Sequence, residues 1–347
     1  MGLFDRLRPA PTAAVDATLV VANAATLAQA QPFLDALVQH GRLAVGIADG
    51  EPYAGALPAI GARDLHDLRR LKPARVIVLG EVANGIALAQ TCSAPCYWVN
   101  ARDPRIATLK LAAVTVADAR AHAALPTAQL TGDPLLSLPA PAAPPDIAFC
   151  ERFKEFGERE RWVGYFAATG AGEEDFAYLS FMQLSRKQMG LLVLAPYDPT
   201  RYEPVYRDAI KYRLPTNRHL RLITSYIPHK TRVYYIEDAA ALKAMYPCAD
   251  FVVVGGTLSA EARHAPDLFT PLSYGRPLIV GPRRDDYAVA AALRAGIVLA
   301  ADNVDDVVRH ALGLIGNADG GALTRAAATW LSSQRGAAAR IMSILSA

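Results

Sequence analysis

The stretch FVVVGGTLSAEARHAPDLFTPLSYGRPLIVGP, residues 251–282, constrains the fold more than any other part of the chain. Residues 251–254 are β-branched and aromatic, long enough for a strand buried on both faces and too short for a buried helix. Gly255 and Gly256 end that run. A loop of small and polar residues and a short helix follow, and residues 277–280 form a second apolar strand closed by Gly281 and Pro282. A strand, crossover and strand of this kind belongs to a parallel sheet, where ligands bind outside the carboxyl ends of the strands. Paired glycines at such an end let a phosphate approach backbone N–H groups and the next helix N-terminus. The segment therefore nominates a nucleotide site, while a Gly-Gly pair after a strand also serves as a plain tight turn.

The same alternation runs through the chain. Apolar runs at 18–22, 43–47, 74–79, 96–99, 112–116 and 128–131 read as strands. Helical spacing at 24–39, 63–71 and 84–90 fills the gaps between them. After residue 160 the pattern resumes, with strands at 162–167, 191–195, 221–225 and 232–236 and helices at 173–185 and 203–212. Helices at 288–294, 304–315 and 322–345 close the chain. Strands alternating with helices imply an α/β fold built on parallel sheets. Residues 135–146, LLSLPAPAAPPD, hold four prolines, with a fifth at Pro134. That density extends the backbone and stops helices and central strands, so the segment reads as a semi-rigid linker. The expected domains are 1–134 and 147–347, two Rossmann-like doubly wound domains facing across a cleft, with the final helix packing back on the first.

Composition excludes several classes. At 347 residues and 52% hydrophobic content the chain is globular. No run reaches the roughly 20 apolar residues of a membrane span, and the N-terminus lacks the apolar core of a signal peptide. The expected location is the cytoplasm. Residues 1–8, MGLFDRLR, place Leu3, Phe4 and Leu7 beside Arg6 and Arg8, a pattern that serves either a peripheral contact with an anionic membrane or a frayed terminus. The net charge of +3 argues against a dedicated nucleic-acid binder. A basic stretch from Arg186 to Arg232, interleaved with Tyr202, Tyr206 and Tyr212, reads as a solvated helix face or a polyanion-binding one. Cys92, Cys96, Cys150 and Cys248 are too scattered for a disulfide framework, and all four read as reduced and structural. No Cys/His spacing suits zinc, so neither metal nor cofactor is expected.

Several separated segments, in order, resemble the Kdo transferases, GT-B glycosyltransferases that attach 3-deoxy-manno-octulosonate from CMP-Kdo to lipid A. The family's F-V-G-G-S-L resembles VVGGTL at 253–258, and its H-N-P resembles His264, Ala265 and Pro266. Its G-K-P resembles Gly275, Arg276 and Pro277, its S-T-H-x-G-E resembles ATGAGE at 168–173, and its P-R-H-P-x-R resembles PYDPTR at 196–201. Asn100, Ala101 and Arg102 reproduce its N-A-R. The resemblance spans most of residues 18–300. It implies a C-terminal domain that binds the nucleotide-sugar and an N-terminal one that binds a lipid or polysaccharide acceptor at the inner membrane, in lipopolysaccharide biosynthesis. It also implies a nucleotide-sugar site at Thr169, Gly170, Gly172, Arg201, Gly255, Gly256, Thr257 and His264.

The departures concern chemistry. The family's general-base Glu, in H-A-x-S-V-G-E, falls on Gln29 of NAATLAQ. A carboxamide has no useful basicity, and losing a general base costs roughly 100- to 10,000-fold in rate. Tyr197 stands where the family has Arg, and Asp198 where it has His. The Gly-Glu of its D-T-M-G-E-L falls on alanines, and the Glu after its H-N-P falls on Thr270. Glu81 and Asp49, after two strands of the first domain, are candidate replacement bases. Two outcomes follow: an active glycosyltransferase, or a catalytically silent relative that binds a sugar, lipid or protein partner.

Overall fold

Fourteen strands among the described residues form two parallel sheets of seven. A computed structural model of the protein describes residues 15–65, 68–158, 161–222, 226–315 and 318–347. Residues 1–8, with their amphipathic pattern, lie outside this set. Two compact units emerge: the described residues up to Leu138 together with Ser332–Ala347, and Pro139–Leu331. Residues 135–146 form neither helix nor strand.

The first sheet contains β1 (Thr18–Ala22), β2 (Leu43–Ile47), β3 (Ala59–Ile60), β4 (Arg75–Leu79), β5 (Cys96–Val99), β6 (Ala113–Val116) and β7 (Gln129–Leu130). Its order is β3-β2-β1-β4-β5-β6-β7. The winding reverses between β1 and β4, so the loops after those strands frame its crevice. The second sheet contains β8 (Trp162–Thr169), β9 (Gly190–Pro196), β10 (Thr216–Arg218), β11 (Val233–Tyr235), β12 (Phe251–Val254), β13 (Leu278–Val280) and β14 (Leu299–Ala300). Here the order is β10-β11-β9-β8-β12-β13-β14, and the reversal lies between β8 and β12. Every position of β1, β8, β9 and β12 is buried, as parallel strands covered on both faces require.

Two helices expected as continuous are broken. The helical pattern of 24–39 divides into Ala24–Gln29 and Gln31–Val38, because Pro32 lacks the N–H that a continuous helix needs and starts the second piece instead. The final helix divides into Ala318–Gln334 and Ala337–Ser346 at Gly336, whose φ of 74° is left-handed. Of the strand expected at 221–225, residues 223–225 lie outside the described set; Arg221 ends a 3₁₀ turn, and the neighbouring strand is β10.

The C-terminal helix is bound into the first unit. Buried Gln334 accepts from the Asp133 N–H at 2.7 Å and donates to the Ala117 carbonyl at 3.0 Å. Arg340 donates to the Thr131 carbonyl and Arg75 to the Leu345 carbonyl.

The cysteine expectation is corrected. Cys150, in the helix Ile147–Glu151, and Cys248, in the turn Tyr246–Cys248, form a disulfide with their Cα atoms 5.0 Å apart. Their separation of 98 residues concealed a contact that only the folding of the second unit creates. Cys92 and Cys96 are free. Among the described residues no helix is long and apolar enough to cross a membrane, and no group of three or more His, Cys, Asp or Glu is placed to hold a metal ion.

Candidate functional site

The crevice between β8 and β12 brings together most of the second-unit residues singled out in the sequence. Gly170 and Gly172 follow β8, and Gly255, Gly256 and Thr257 follow β12. Backbone geometry explains the glycines. Gly256 sits at φ 79° and Gly172 at φ 75°, where side-chain-bearing residues are disfavoured. A Cβ on Gly255 would lie 2.1 Å from the Ala168 carbonyl oxygen, and a Cβ on Gly170 2.7 Å from the Ala262 methyl carbon. Ala168 itself has φ 55°, at an irregularity where β8 shifts register against β9.

A buried carboxylate fills the crevice. Glu173 is fully buried and accepts four backbone hydrogen bonds. Its Oε2 receives the N–H of Gly170 at 2.6 Å and of Gly256 at 2.8 Å. Its Oε1 receives the N–H of Leu258 at 2.7 Å and of Ser259 at 3.3 Å. The Gly255 N–H donates to the Ala167 carbonyl at 2.8 Å. The N–H groups that the sequence offered to a ligand phosphate are thus held by the protein's own anion and by the β8 backbone.

The hydroxyls and the cation are engaged as well. Thr169 and Thr257 are fully buried. Thr169 donates to Glu174 Oε1 at 3.0 Å. Thr257 donates to the Val254 carbonyl and accepts from the Gly281 N–H, tying the β12 loop to the end of β13. Arg201 makes two parallel 2.8 Å bonds to the two oxygens of Glu174, the strongest geometry open to a guanidinium and a carboxylate. Arg283 donates to the Gly256 and Ala262 carbonyls and pairs with Asp285.

His264 reaches over this crevice. Its ring lies against Gly170 and Gly256 and stacks on Tyr197, centroids 4.3 Å apart and planes 7° from parallel. Burial holds the imidazole below its ordinary pKa, against the opposing pull of Glu173. Its Nε2 is buried without a hydrogen-bond partner. Tyr197 is 57% exposed, and its N–H donates to the Thr169 carbonyl at 2.9 Å.

The first unit gathers its candidates at the ends of β1, β2 and β4. Asp49 directs both carboxylate oxygens at the Ala24 N–H, 3.1 and 3.3 Å away. Glu81 is open: its side chain is 74% exposed, 4.0 Å from Arg102, and the Asn23 amide donates to its carbonyl. Asn23, Glu81, Trp98 and Arg102 line a cavity of about 480 Å³. Gln29 ends the helix that Asn23 precedes and is exposed.

Part of the basic stretch is paired within the second unit. Arg218 lies between Glu237 and Glu203, at 2.6 and 2.9 Å, with its guanidinium 4.3 Å from the Tyr206 ring centre. Arg207 pairs with Glu203 and Lys211 with Asp208.

Three elements of this site were missed in the sequence. Glu173 was visible as the last residue of ATGAGE, but its role across two loops was not. Glu174 beside it reads as an ordinary acidic helix start. The Tyr197–His264 stack joins residues whose separation leaves no sequence signal.

No family model matches the chain, and no curated protein matches it. Among solved structures it is similar to the C-terminal CMP-Kdo binding domain of WaaA from Acinetobacter baumannii, at 21% identity over 53% of this chain and 98% of that one, with a TM-score of 0.47. It is similar to Anabaena Alr3699/HepE in complex with UDP and glucose, at 10% identity over 95% and 99% of the two chains, with a TM-score of 0.40. It is also similar to the E. coli ADP-heptose lipopolysaccharide heptosyltransferase II, at 13% identity over 86% and 98%, with a TM-score of 0.33.

Proposed function

We propose that this chain is a glycosyltransferase-like protein that binds a nucleotide-sugar at the carboxyl edge of its second sheet and does not transfer Kdo by the chemistry of the family it resembles. The observation that carries this reading is the state of the groups that chemistry would use. The general-base position holds Gln29, which is exposed and not basic. Asp49 caps a backbone N–H, and Arg201 is committed to Glu174. On this reading the protein works in the cytoplasm, at the inner membrane where its acceptor is a lipid or polysaccharide. The test is a transfer assay with CMP-Kdo and a lipid A precursor, run beside Gln29→Glu. The unmodified chain is expected to show no turnover above background while calorimetry detects nucleotide-sugar binding. Robust Kdo transfer would sink the proposal.

A second reading, transfer of a different sugar, is favoured by the first-unit cavity. Glu81 is an open carboxylate there, and the buried Oδ1 of Asn23 lacks a hydrogen-bond donor. A screen of donors and acceptors decides it. If a productive pair exists, Glu81→Gln is expected to lower kcat by about 100-fold or more; an unchanged kcat removes Glu81 as the base.

A further inference from the structure

We propose that Tyr197 and His264 form a stacking floor in the second unit, on which a ligand is recognised by a planar heterocyclic ring, the base of a nucleoside, and not chiefly by its phosphates. This rests on the reading of that unit as a nucleotide-sugar site and names what the site selects.

Three observations converge. First, Tyr197 is held in place although it is exposed. Its backbone is pinned to the loop after β8 through the Thr169 carbonyl, and one face of its ring lies flat on His264. The 57% of the residue left in solvent belongs to a side chain already ordered by that stack, so a ligand ring meets a surface with little freedom left to lose. Second, the lower ring is a half-buried imidazole seated against Gly170 and Gly256, where a Cβ would come within 3.0 and 3.1 Å of it. The two glycines leave room for the platform, and a third flat ring extends the stack in the offset-parallel manner aromatic rings favour. Third, the groups that normally hold phosphate at such a crevice are used internally. Glu173 takes the Gly170 and Gly256 N–H groups. Arg201 is bound to Glu174, and Arg283 to carbonyls and Asp285.

The site has therefore exchanged charge recognition for ring recognition. Tyr197 occupies the position where the resembled family carries an arginine, and the substitution replaces a phosphate-directed cation with an uncharged platform.

Calorimetric titration of the full chain tests this, using cytidine, uridine and guanosine, their monophosphates and diphosphate sugars, and free glucose. The preferred nucleoside is expected to bind within about tenfold of its nucleotide. Tyr197→Ala is expected to weaken both by about tenfold or more, the contribution typical of one base stacked on an aromatic side chain. Tyr197→Phe should retain binding, because the ring face is what counts. Nucleotides that bind more than about 100-fold tighter than nucleosides would overturn the inference, as would binding indifferent to Tyr197→Ala or glucose binding in place of every nucleoside. In the first two outcomes the nucleotide-sugar reading stands; if no ligand of the set binds, that reading falls with it.

Discussion

Replacing Glu173 with alanine will destabilise the second unit by about 3–5 kcal/mol, because it strips the acceptor from four backbone N–H groups and a buried donor left unsatisfied costs about 1–3 kcal/mol. Four backbone N–H groups converge on this carboxylate, and all come from loops with little access to water. Glu173→Gln will be nearly as damaging despite its shape. An amide presents one acceptor oxygen and one NH2, so two of the four N–H donors would face another donor. At roughly 2–4 °C per kcal/mol for a unit of this size, the melting transition of the second unit should fall by about 10 °C. Added acetate or formate should recover part of that loss in Glu173→Ala and leave the parent unchanged, because the truncated side chain vacates a carboxylate-sized hole. A variant melting within about 2 °C of the parent would show that the loops do not depend on this anion.

Reduction of the Cys150–Cys248 disulfide is the second large effect. It closes a loop of 98 residues, and removing a bridge of that span costs about 2–5 kcal/mol, chiefly by freeing the unfolded chain. Dithiothreitol should lower the melting temperature of the second unit by about 5–15 °C, and Cys150→Ser should show the lower value with or without reductant. Thiol titration of the denatured, unreduced chain should count two free thiols. In the native chain Cys92 should react first, since a hydrogen bond from Cys96 brings its thiol down to about 7 while that same hydrogen bond, and then burial, push Cys96 up. Four thiols in the unreduced chain, or a melting temperature indifferent to dithiothreitol, would refute the bridge.

What was legible in the sequence followed the strength of its local pattern. Strands β1, β2, β5 and β12 are continuous apolar runs between turn residues, and the structure places them at the expected residues. The helix Val304–Ile315, apolar on one face and charged on the other, was equally clear. Strand β10 was not, because Thr216–Arg218 has no apolar pattern and is a strand only through its pairing with β11. The helix breaks at Pro32 and Gly336 were written in single residues, while helical spacing of apolar side chains continues across both. The site divides in the same way. Glycines that need left-handed backbone or close approach announce themselves by type. Which N–H groups Glu173 satisfies, and which ring His264 meets, depends on loops from different strands arriving at one crevice.

The passage of the helix Ala318–Gln334 from one unit into the other makes the first unit discontinuous in sequence. The first sheet is synthesised early but lacks the Gln334 amide against Asp133 and the Arg340 guanidinium on Thr131 until residues 334 and 340 are made. The second unit, uninterrupted from Pro139 to Leu331, has all its residues before the first has its own. The first unit, begun first in the order of synthesis, is therefore the later of the two to receive its full set of residues.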